Sequence, residues 1–155
     1  MTKSYLSLGS NLSAPLRQLR TAVKELNKLP RTYITKISSL YFSKPWGVHA
    51  QPPFYNMVIE INTTLHPKAL LKYCQSIELN HNRTRKKHWG PRTLDIDILL
   101  YGNIILNKND LIIPHKEMLN RDFVLAPILE ISPNLQLPNG DYLSLYLKNC
   151  EKHIQ

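Results

Sequence analysis

The sequence predicts an α+β fold in which helices pack on a mainly antiparallel sheet. Apolar periodicities follow the order strand, helix, strand, strand, helix, strand, with shorter elements after them. The chain has 155 residues, 43% hydrophobic and 20% charged, and contains no linker or internal repeat. That length and composition suit one globular core. We therefore expect a single domain, residues 1–155, folded as a ferredoxin-like sandwich.

The first half of the chain supplies three predicted strands and one helix. Residues 5–8 alternate between apolar and polar and run into a Gly-Ser-Asn turn signal at residues 9–11, which predicts a short strand and a turn. Ser13 is a candidate N-cap for a helix that stops near Pro30. β-forming residues then predict two strands, over residues 33–42 and 54–63.

The second half supplies the remaining helices and the most informative strand. His66-Pro67 opens a helix with apolar residues at helical spacing, and residues 94–101 read as a strand. The Gly-Asn dipeptide that follows predicts a turn and a return strand over residues 104–106. A last helix is predicted from Phe123 to Ile131.

The strand at residues 94–101 carries a pair of carboxylates. Because strand side chains alternate between faces, Asp95 and Asp97 share one face, while the other face is expected to hold Leu94, Ile96, Ile98 and Leu100. Paired carboxylates suit Mg²⁺, which is often held by one or two carboxylates together with substrate phosphates. The alternative is an edge strand whose outer face is merely acidic and solvated. Metal and polyphosphate together are favoured by the basic residues just upstream, Arg83, Arg85, Lys86, Lys87, His88 and Arg92.

Charge and cysteine usage narrow the class of protein. The net charge of +9 favours anionic partners, so nucleic acid, an anionic membrane surface and nucleotide substrates are all compatible with it. Cys74 and Cys150 have no metal-like or redox-like spacing, so neither is expected to be a nucleophile and a reducing compartment is expected. Residues 1–10 contain no apolar stretch suited to a signal peptide, and nowhere do about 18 apolar residues run together, so we expect a cytoplasmic protein.

The segment HWGPRTLDIDIL, residues 88–99, resembles the signature of the 6-hydroxymethyl-7,8-dihydropterin pyrophosphokinase (HPPK) family of folate biosynthesis. In that signature a basic residue, a Gly-Pro-Arg turn and the Asp-x-Asp strand follow one another. The segments YLSLGSNL, IELNHNRTR, IIPH and NRDFVLAPILEI also resemble the family, in its order. The resemblance implies the same sandwich, a monomer, and transfer of the diphosphate of ATP to the hydroxymethyl group of the dihydropterin with two Mg²⁺ ions, releasing AMP.

The resemblance also implies roles for individual residues. Asp95 and Asp97 would hold the metal ions and, with Arg83 and Arg92, form the catalytic set. Arg83, Arg92, His115 and Arg121 would neutralise phosphate charge. ATP would be bound by Gln75, Glu78, Arg83, Arg85, Arg92, Ile98, His115, Lys116 and Arg121. The pterin would be bound by Ser43, Pro45, Trp46, Gly47, Phe54, Asn56, Trp89, Asp95 and Phe123, with Phe54 and Phe123 stacked on its two faces.

Without the resemblance, several of these residues have simpler explanations. Gln75 and Glu78 would be surface polar residues, and His115 a hydrogen-bonded structural residue. Trp89 among basic residues is also typical of single-strand nucleic-acid binders, which makes a nucleic-acid-binding module the main competing class. A sugar-nucleotide transferase using Asp-x-Asp is a third class, for which the chain is small.

Four positions depart from the family pattern on the nucleotide side. Asp110, Ile112, Lys116 and Asp122 stand where Arg, Thr, Tyr and Gly are frequent, which leaves ATP affinity open. Lys116 is hypothesised to replace the positive charge absent at position 110. Ser43-Lys44 replaces a more usual Thr-Pro in the pterin loop.

Overall fold

The computed structural model describes residues 1–43, 52–81 and 93–154. The elements are, in chain order, β1 (Thr2–Ser10), α1 (Pro15–Leu26), β2 (Thr32–Ile37), β3 (Tyr41–Ser43), β4 (Phe54–Thr63), α2 (Pro67–Asn80), β5 (Asp95–Tyr101), β6 (Leu106–Asn107), β7 (Ile112–Ile113), a 3₁₀ turn (Met118–Asn120), α3 (Asp122–Ile131) and α4 (Ser144–Leu147).

The main sheet has the strand order β2-β4-β1-β5, and every pairing in it is antiparallel. The short strand β3 also pairs with β4, and β6 pairs with β7 in a separate hairpin. With α1 between β1 and β2 and α2 between β4 and β5, this is the order of a ferredoxin-like sandwich. The predicted fold class is therefore confirmed.

The two faces of the sheet are covered by different helices. The first face carries Leu6, Leu8, Met57, Ile59 and Ile61, and these residues share a core cluster with the buried side chains of α1 and α2. The second face carries Tyr5 and Val58, which pack with residues of α3 such as Val124, Leu125 and Ile128. Burial on both sides fixes the register of the central strands.

A β-bulge in β5 changes which side chains share a face. Leu6 pairs with Ile98 but Tyr5 pairs with Leu100, so Leu99 is an extra residue opposite β1. Leu94, Ile96 and Ile98 point to the first face as predicted, whereas Leu99 and Leu100 both belong to the core of the second face. The prediction that Leu100 lies opposite the aspartates is therefore wrong, because strict alternation stops at the bulge.

Four local predictions are also corrected. The strand predicted over residues 33–42 is two strands, separated where Ser38 bonds to Val58 through both its N–H and its hydroxyl. The predicted cap Ser13 has a left-handed backbone, as does Ala14, which is the N-cap and makes no side-chain cap. Gly9 lies inside β1 rather than in a turn. Residues 104–106 do not return along β5, since Leu106 pairs with Ile113.

No helix within residues 1–43, 52–81 and 93–154 has the length and apolar character needed to cross a membrane.

Candidate active site

One end of the second face brings together residues from three neighbouring strands, β4, β1 and the edge strand β5. Gly9 of β1 pairs with Asn56 of β4 on one side and with Asp95 of β5 on the other. The next row of that face has Ser7 of β1 between Val58 and Asp97. Since neighbouring strands lie about 4.8 Å apart, the backbones of Asn56 and Asp95 are roughly 10 Å apart across Gly9. The sheet therefore presents an amide on one side of a glycine and two carboxylates on the other side.

Gly9 keeps the middle of this row open. A Cβ at position 9 would lie 3.0 Å from the Asn56 side-chain oxygen and 3.9 Å from a ring carbon of Phe54. An alanine there would press on the Asn56 oxygen and make an ordinary van der Waals contact with the Phe54 ring. Gly9 is not among the site residues predicted from the sequence, because the Gly-Ser-Asn pattern indicates a turn at this position. The available signal was a glycine next to an alternating strand, which is typical of a close approach by another group.

Asp95 and Asp97 lie on the second face, as predicted, and both are half-buried. Their oxygens are hard ligands of the type Mg²⁺ takes, and two carboxylates with substrate phosphates are a common Mg²⁺ set. Within residues 1–43, 52–81 and 93–154, no cluster of three or more His, Cys, Asp or Glu side chains could hold a metal by itself. The pair thus suits an ion that takes its remaining ligands from a phosphate substrate and water.

His115 is positioned beside Asp97 by main-chain contacts. The main-chain N–H of His115 donates to the carbonyl of Leu99, the bulge residue, at 2.9 Å. Its Nδ1 accepts from the Glu117 N–H at 3.2 Å, which leaves the proton of a neutral ring on Nε2, 3.8 Å from Asp97 Oδ1. The ring therefore presents an N–H donor on the side of the carboxylate pair.

The protonation state of His115 in the ligand-free protein follows from the surroundings of its ring. Burial and the positive charge of Arg121 lower the pKa of His115 to about 4, against weaker opposing effects of Glu117 and Asp95. With that pKa the ring is neutral near pH 7 in the ligand-free protein, and its charge beside bound phosphates stays a prediction. It can still donate a hydrogen bond to a phosphate oxygen.

Arg121 is held at the start of α3 with one donor left over. Its guanidinium bonds to Glu117 at 2.8 Å and lies 5.7 Å from the ring centroid of Phe123. Among the residues that the structure describes, its buried Nε has no hydrogen-bond partner. A buried N–H without an acceptor is unfavourable, so this donor suits an anionic ligand.

The described residues on the predicted pterin side are connected through Ser43. The Asn56 amide donates to the Ser43 hydroxyl at 2.7 Å, and both side chains are buried. Phe54 is half-buried on the same face as Asn56 and pairs with Ser43 in the sheet. The Asn56 side chain is therefore not freely solvated, and its oxygen lies beside Gly9.

The predicted nucleotide residues on α2 and β5 have mixed surroundings. Glu78 is buried, and its carboxylate accepts from the Ile96 N–H at 2.8 Å, so its interpretation as a surface residue is wrong. Gln75 is half-buried one turn earlier. Ile98 has its side chain in the first core, 3% exposed, so a ligand can reach only its main chain.

Other predicted positions lie away from these contacts or outside the described ranges. Lys116 is exposed, and Asp110 lies 3.9 Å from Lys68. Burial raises the pKa of the Cys74 thiol to about 12, which argues against a nucleophile there. The predictions that fall outside the described residues are Pro45, Trp46 and Gly47 for the pterin and Arg83, Arg85, Trp89 and Arg92 for the catalytic and nucleotide contacts.

Known proteins match nearly the whole chain. The family model of 7,8-dihydro-6-hydroxymethylpterin-pyrophosphokinase (HPPK) matches residues 5–133. A Haemophilus influenzae protein named 2-amino-4-hydroxy-6-hydroxymethyldihydropteridine pyrophosphokinase is 44% identical over 153 residues, which cover 99% of this chain and 96% of the relative. A Pseudomonas aeruginosa protein of the same name is 44% identical over 146 residues, covering 94% of this chain and 90% of the relative.

A solved structure of a longer protein shares the fold. The chain superposes on a crystal structure of HPPK-DHPS in complex with substrates with a TM-score of 0.74 at 14% sequence identity. The superposition covers 96% of this chain but 43% of that chain, so the present chain spans less than half of its length. Given the matched family model and the relatives that are 44% identical over almost their full length, the chain belongs to the HPPK family.

Proposed function

We propose that this chain transfers the β,γ-diphosphate of ATP to the hydroxymethyl oxygen of 6-hydroxymethyl-7,8-dihydropterin and releases AMP, as a monomer in the cytoplasm. The observation that carries the proposal is the row of Asn56, Gly9 and Asp95 with Asp97 beside it. That row puts a hydrogen-bonding amide, a glycine without a side chain and a pair of carboxylates suited to a metal on one face of the sheet. A pterin and a metal-bound polyphosphate need those features side by side.

Asp95 and Asp97 would hold two Mg²⁺ ions together with the phosphates of ATP. When bound, such ions neutralise phosphate charge and help a bound hydroxyl to lose its proton. The residues of the chain then act mainly by positioning, because phosphoryl transfer depends on alignment and on stabilising spread charge. No general base is assigned, since the Nδ1 of His115 already accepts from the Glu117 N–H and its Nε2 carries the proton of the neutral ring.

On the nucleotide side, His115 would donate from Nε2 to a phosphate oxygen, and Arg121 would add its positive charge and its buried Nε–H. Gln75, Glu78 and the main chain of Ile98 would contact the rest of the nucleotide, and Lys116 would lie at its periphery. Arg83, Arg85 and Arg92 remain predicted phosphate ligands from the family resemblance.

On the pterin side, Asn56 would hydrogen-bond the ring edge above Gly9, with Ser43 fixing the orientation of its amide. Phe54 and Phe123 would stack on the two faces of the ring. Pro45, Trp46, Gly47 and Trp89 remain predicted contacts of the same ring.

The decisive experiment is incubation of the protein with ATP, Mg²⁺ and the hydroxymethyl dihydropterin, followed by identification of the nucleotide product. AMP supports the proposal, whereas ADP, or no turnover by folded protein, would overturn it. A nucleic-acid-binding module would instead show binding that weakens steeply with salt and does not need Mg²⁺. Light scattering of the same sample tests the monomer.

Asp97→Ala is expected to remove turnover while the protein stays folded. Loss of a metal ligand worth several kcal/mol corresponds to a decrease in kcat of more than about 10³-fold. Asp141→Ala is the matched control, because Asp141 lies in a turn and bonds to Asn139 and Tyr146 instead. An Asp97→Ala protein with near-normal kcat would contradict the assignment of the metal pair.

A further inference from the structure

A segment near the C-terminal end of the chain is attached to α3 by a buried carboxylate. We call residues 150–154 the C-terminal strap. Asp122, 5% exposed, accepts the main-chain N–H of His153 at 2.8 Å and that of Ile154 at 3.0 Å, both through Oδ2. A buried carboxylate is unfavourable unless it is hydrogen-bonded, and hydrogen bonds to a charged acceptor are the stronger kind. Asp122 therefore gains its own stabilisation by holding the strap.

The strap is also attached at its other end. The Cys150 thiol donates to the carbonyl of Leu119 in the turn just before α3, at 3.2 Å. Cys150 also packs against the core of the second face of the sheet. Contacts at both ends indicate a defined path for residues 150–154 across the start of α3.

The strap meets two residues of the predicted pterin side. The ring of His153 contacts the ring of Phe123 edge to face, with centroids 6.2 Å apart and an angle of 88°. Ile154 forms an antiparallel β-bridge with Ser43, the residue whose hydroxyl accepts from Asn56. The strap thus connects the start of α3 to β3 and reaches both a predicted stacking ring and the partner of a predicted pterin-binding amide.

We infer that the C-terminal strap forms an outer wall of the pterin site and that Asp122 is a positioning residue for pterin binding, acting through His153 on Phe123 and through Ile154 on Ser43. This inference rests on the proposed function. It also gives Asp122 a different role from the one considered on sequence grounds, which concerned ATP affinity. The strap joins Phe123 to Ser43, so its loss would remove one restraint on the position of each residue on the pterin side.

The test is a comparison of KM for the dihydropterin with KM for ATP in Asp122→Ala. Loss of the carboxylate removes two hydrogen bonds to a charged acceptor, so KM for the pterin is expected to rise about tenfold or more. KM for ATP is expected to stay within about twofold. Asp122→Asn keeps a side-chain oxygen that can accept from the strap and is expected to fall between wild type and Asp122→Ala.

Two further variants separate positioning from general stability. Glu130→Ala removes a carboxylate at the other end of α3 that accepts from the Ser39 N–H and hydroxyl and from the Tyr41 hydroxyl, and it should leave KM for the pterin near wild type. His153→Ala removes the ring contact to Phe123 but leaves the carboxylate, and it should raise KM for the pterin by a few fold.

The outcomes are distinct. The inference is overturned if Asp122→Ala and His153→Ala lower Tm but leave KM for the pterin unchanged, or if they raise KM for the pterin and KM for ATP equally. The strap would then contribute only packing. AMP formation by the wild type would still support the proposed function. If the wild type forms no AMP, the proposed function fails and the inference fails with it.

Discussion

At the scale of single residues, the pterin side of the site depends on the absence of a Cβ atom at Gly9. Gly9 lies between Asn56 and Asp95, and the space a Cβ would occupy is already 3.0 Å from the Asn56 oxygen. The Asn56 amide cannot swing away without losing its 2.7 Å hydrogen bond to Ser43. A side chain at position 9 would therefore compete both with Asn56 and with any flat ring placed over the row.

Gly9→Ala is expected to weaken pterin binding, because the added methyl would crowd the Asn56 oxygen, 3.0 Å away, and occupy space beside the ring. Loss of one well-placed hydrogen bond from Asn56 to the ring, at about 1.4 kcal/mol, corresponds to a rise in the pterin Kd of about tenfold. Titration with 6-hydroxymethylpterin in the presence of a non-hydrolysable ATP analogue measures this Kd. In an Asn56→Ala background the effect of Gly9→Ala should shrink, because the crowded oxygen is gone. Equal effects in both backgrounds would show that the contact with Asn56 is not the cause.

Single residues also show what the sequence could reveal and what it could not. The shared face of Asp95 and Asp97 follows from strand alternation alone, and the structure confirms it. The neutral state of His115 does not follow from sequence, because it arises from burial and from Arg121, which reaches His115 only through the tertiary fold. Glu78 was misjudged for the same reason, since its partner is a main-chain N–H of another element.

At the scale of elements, the site depends on β5, and the β-bulge in this strand contributes to the site. The bulge at Leu99 gives the second core two consecutive leucines and offers the Leu99 carbonyl to the His115 N–H. A regular strand would have kept alternation through Leu100. Bulges are common beside active sites because they redirect a strand locally. Sequence periodicity identified the strand but could not place the extra residue, since only the pairing with β1 reveals it.

The outer edge of β5 is held by Glu78, and this contact makes a prediction about stability. Glu78→Ala removes a charged acceptor from the buried Ile96 N–H and is expected to lower the free energy of unfolding by about 1.5–3 kcal/mol. Glu78→Gln keeps an acceptor oxygen and should lose less. Urea denaturation without ligands measures both, with Gln75→Ala on the same helix as the control. A Glu78→Ala protein as stable as wild type would mean that Ile96 finds another acceptor.

At the scale of the whole molecule, the antiparallel order of β4, β1 and β5 assembles the site from distant parts of the chain. The end of β1 lies beside the beginnings of β4 and β5, so residues 9, 56 and 95 form one row. The order of elements was enough to predict this topology, because few folds accommodate it. The order of elements was not enough to predict that residues 9, 56 and 95 are aligned. The register between strands depends on the packing of apolar side chains on both faces of the sheet.

The opposite end of β4 makes the stability of the whole protein depend on pH. Burial favours the neutral form of Glu60, but hydrogen bonds from Thr35 and Tyr5 and the charges of Lys3 and Lys36 together hold the pKa of Glu60 below its ordinary value of 4.5. A carboxyl whose pKa is lowered by folding contributes stability that is present above its unfolded pKa. That stability is lost as the pH falls through the folded pKa.

Glu60→Gln should therefore be less stable than wild type at pH 7 by about 1–3 kcal/mol, and the difference should shrink as the pH falls from 4.5 toward 3. Guanidinium denaturation at pH 7 and at pH 3 measures this difference in stability. Glu151→Gln, at an exposed carboxyl of the C-terminal strap, is the control and should show no such change. A stability difference that is constant from pH 7 to pH 3 would mean that Glu60 acts through the shape of its hydrogen bonds and not through its charge.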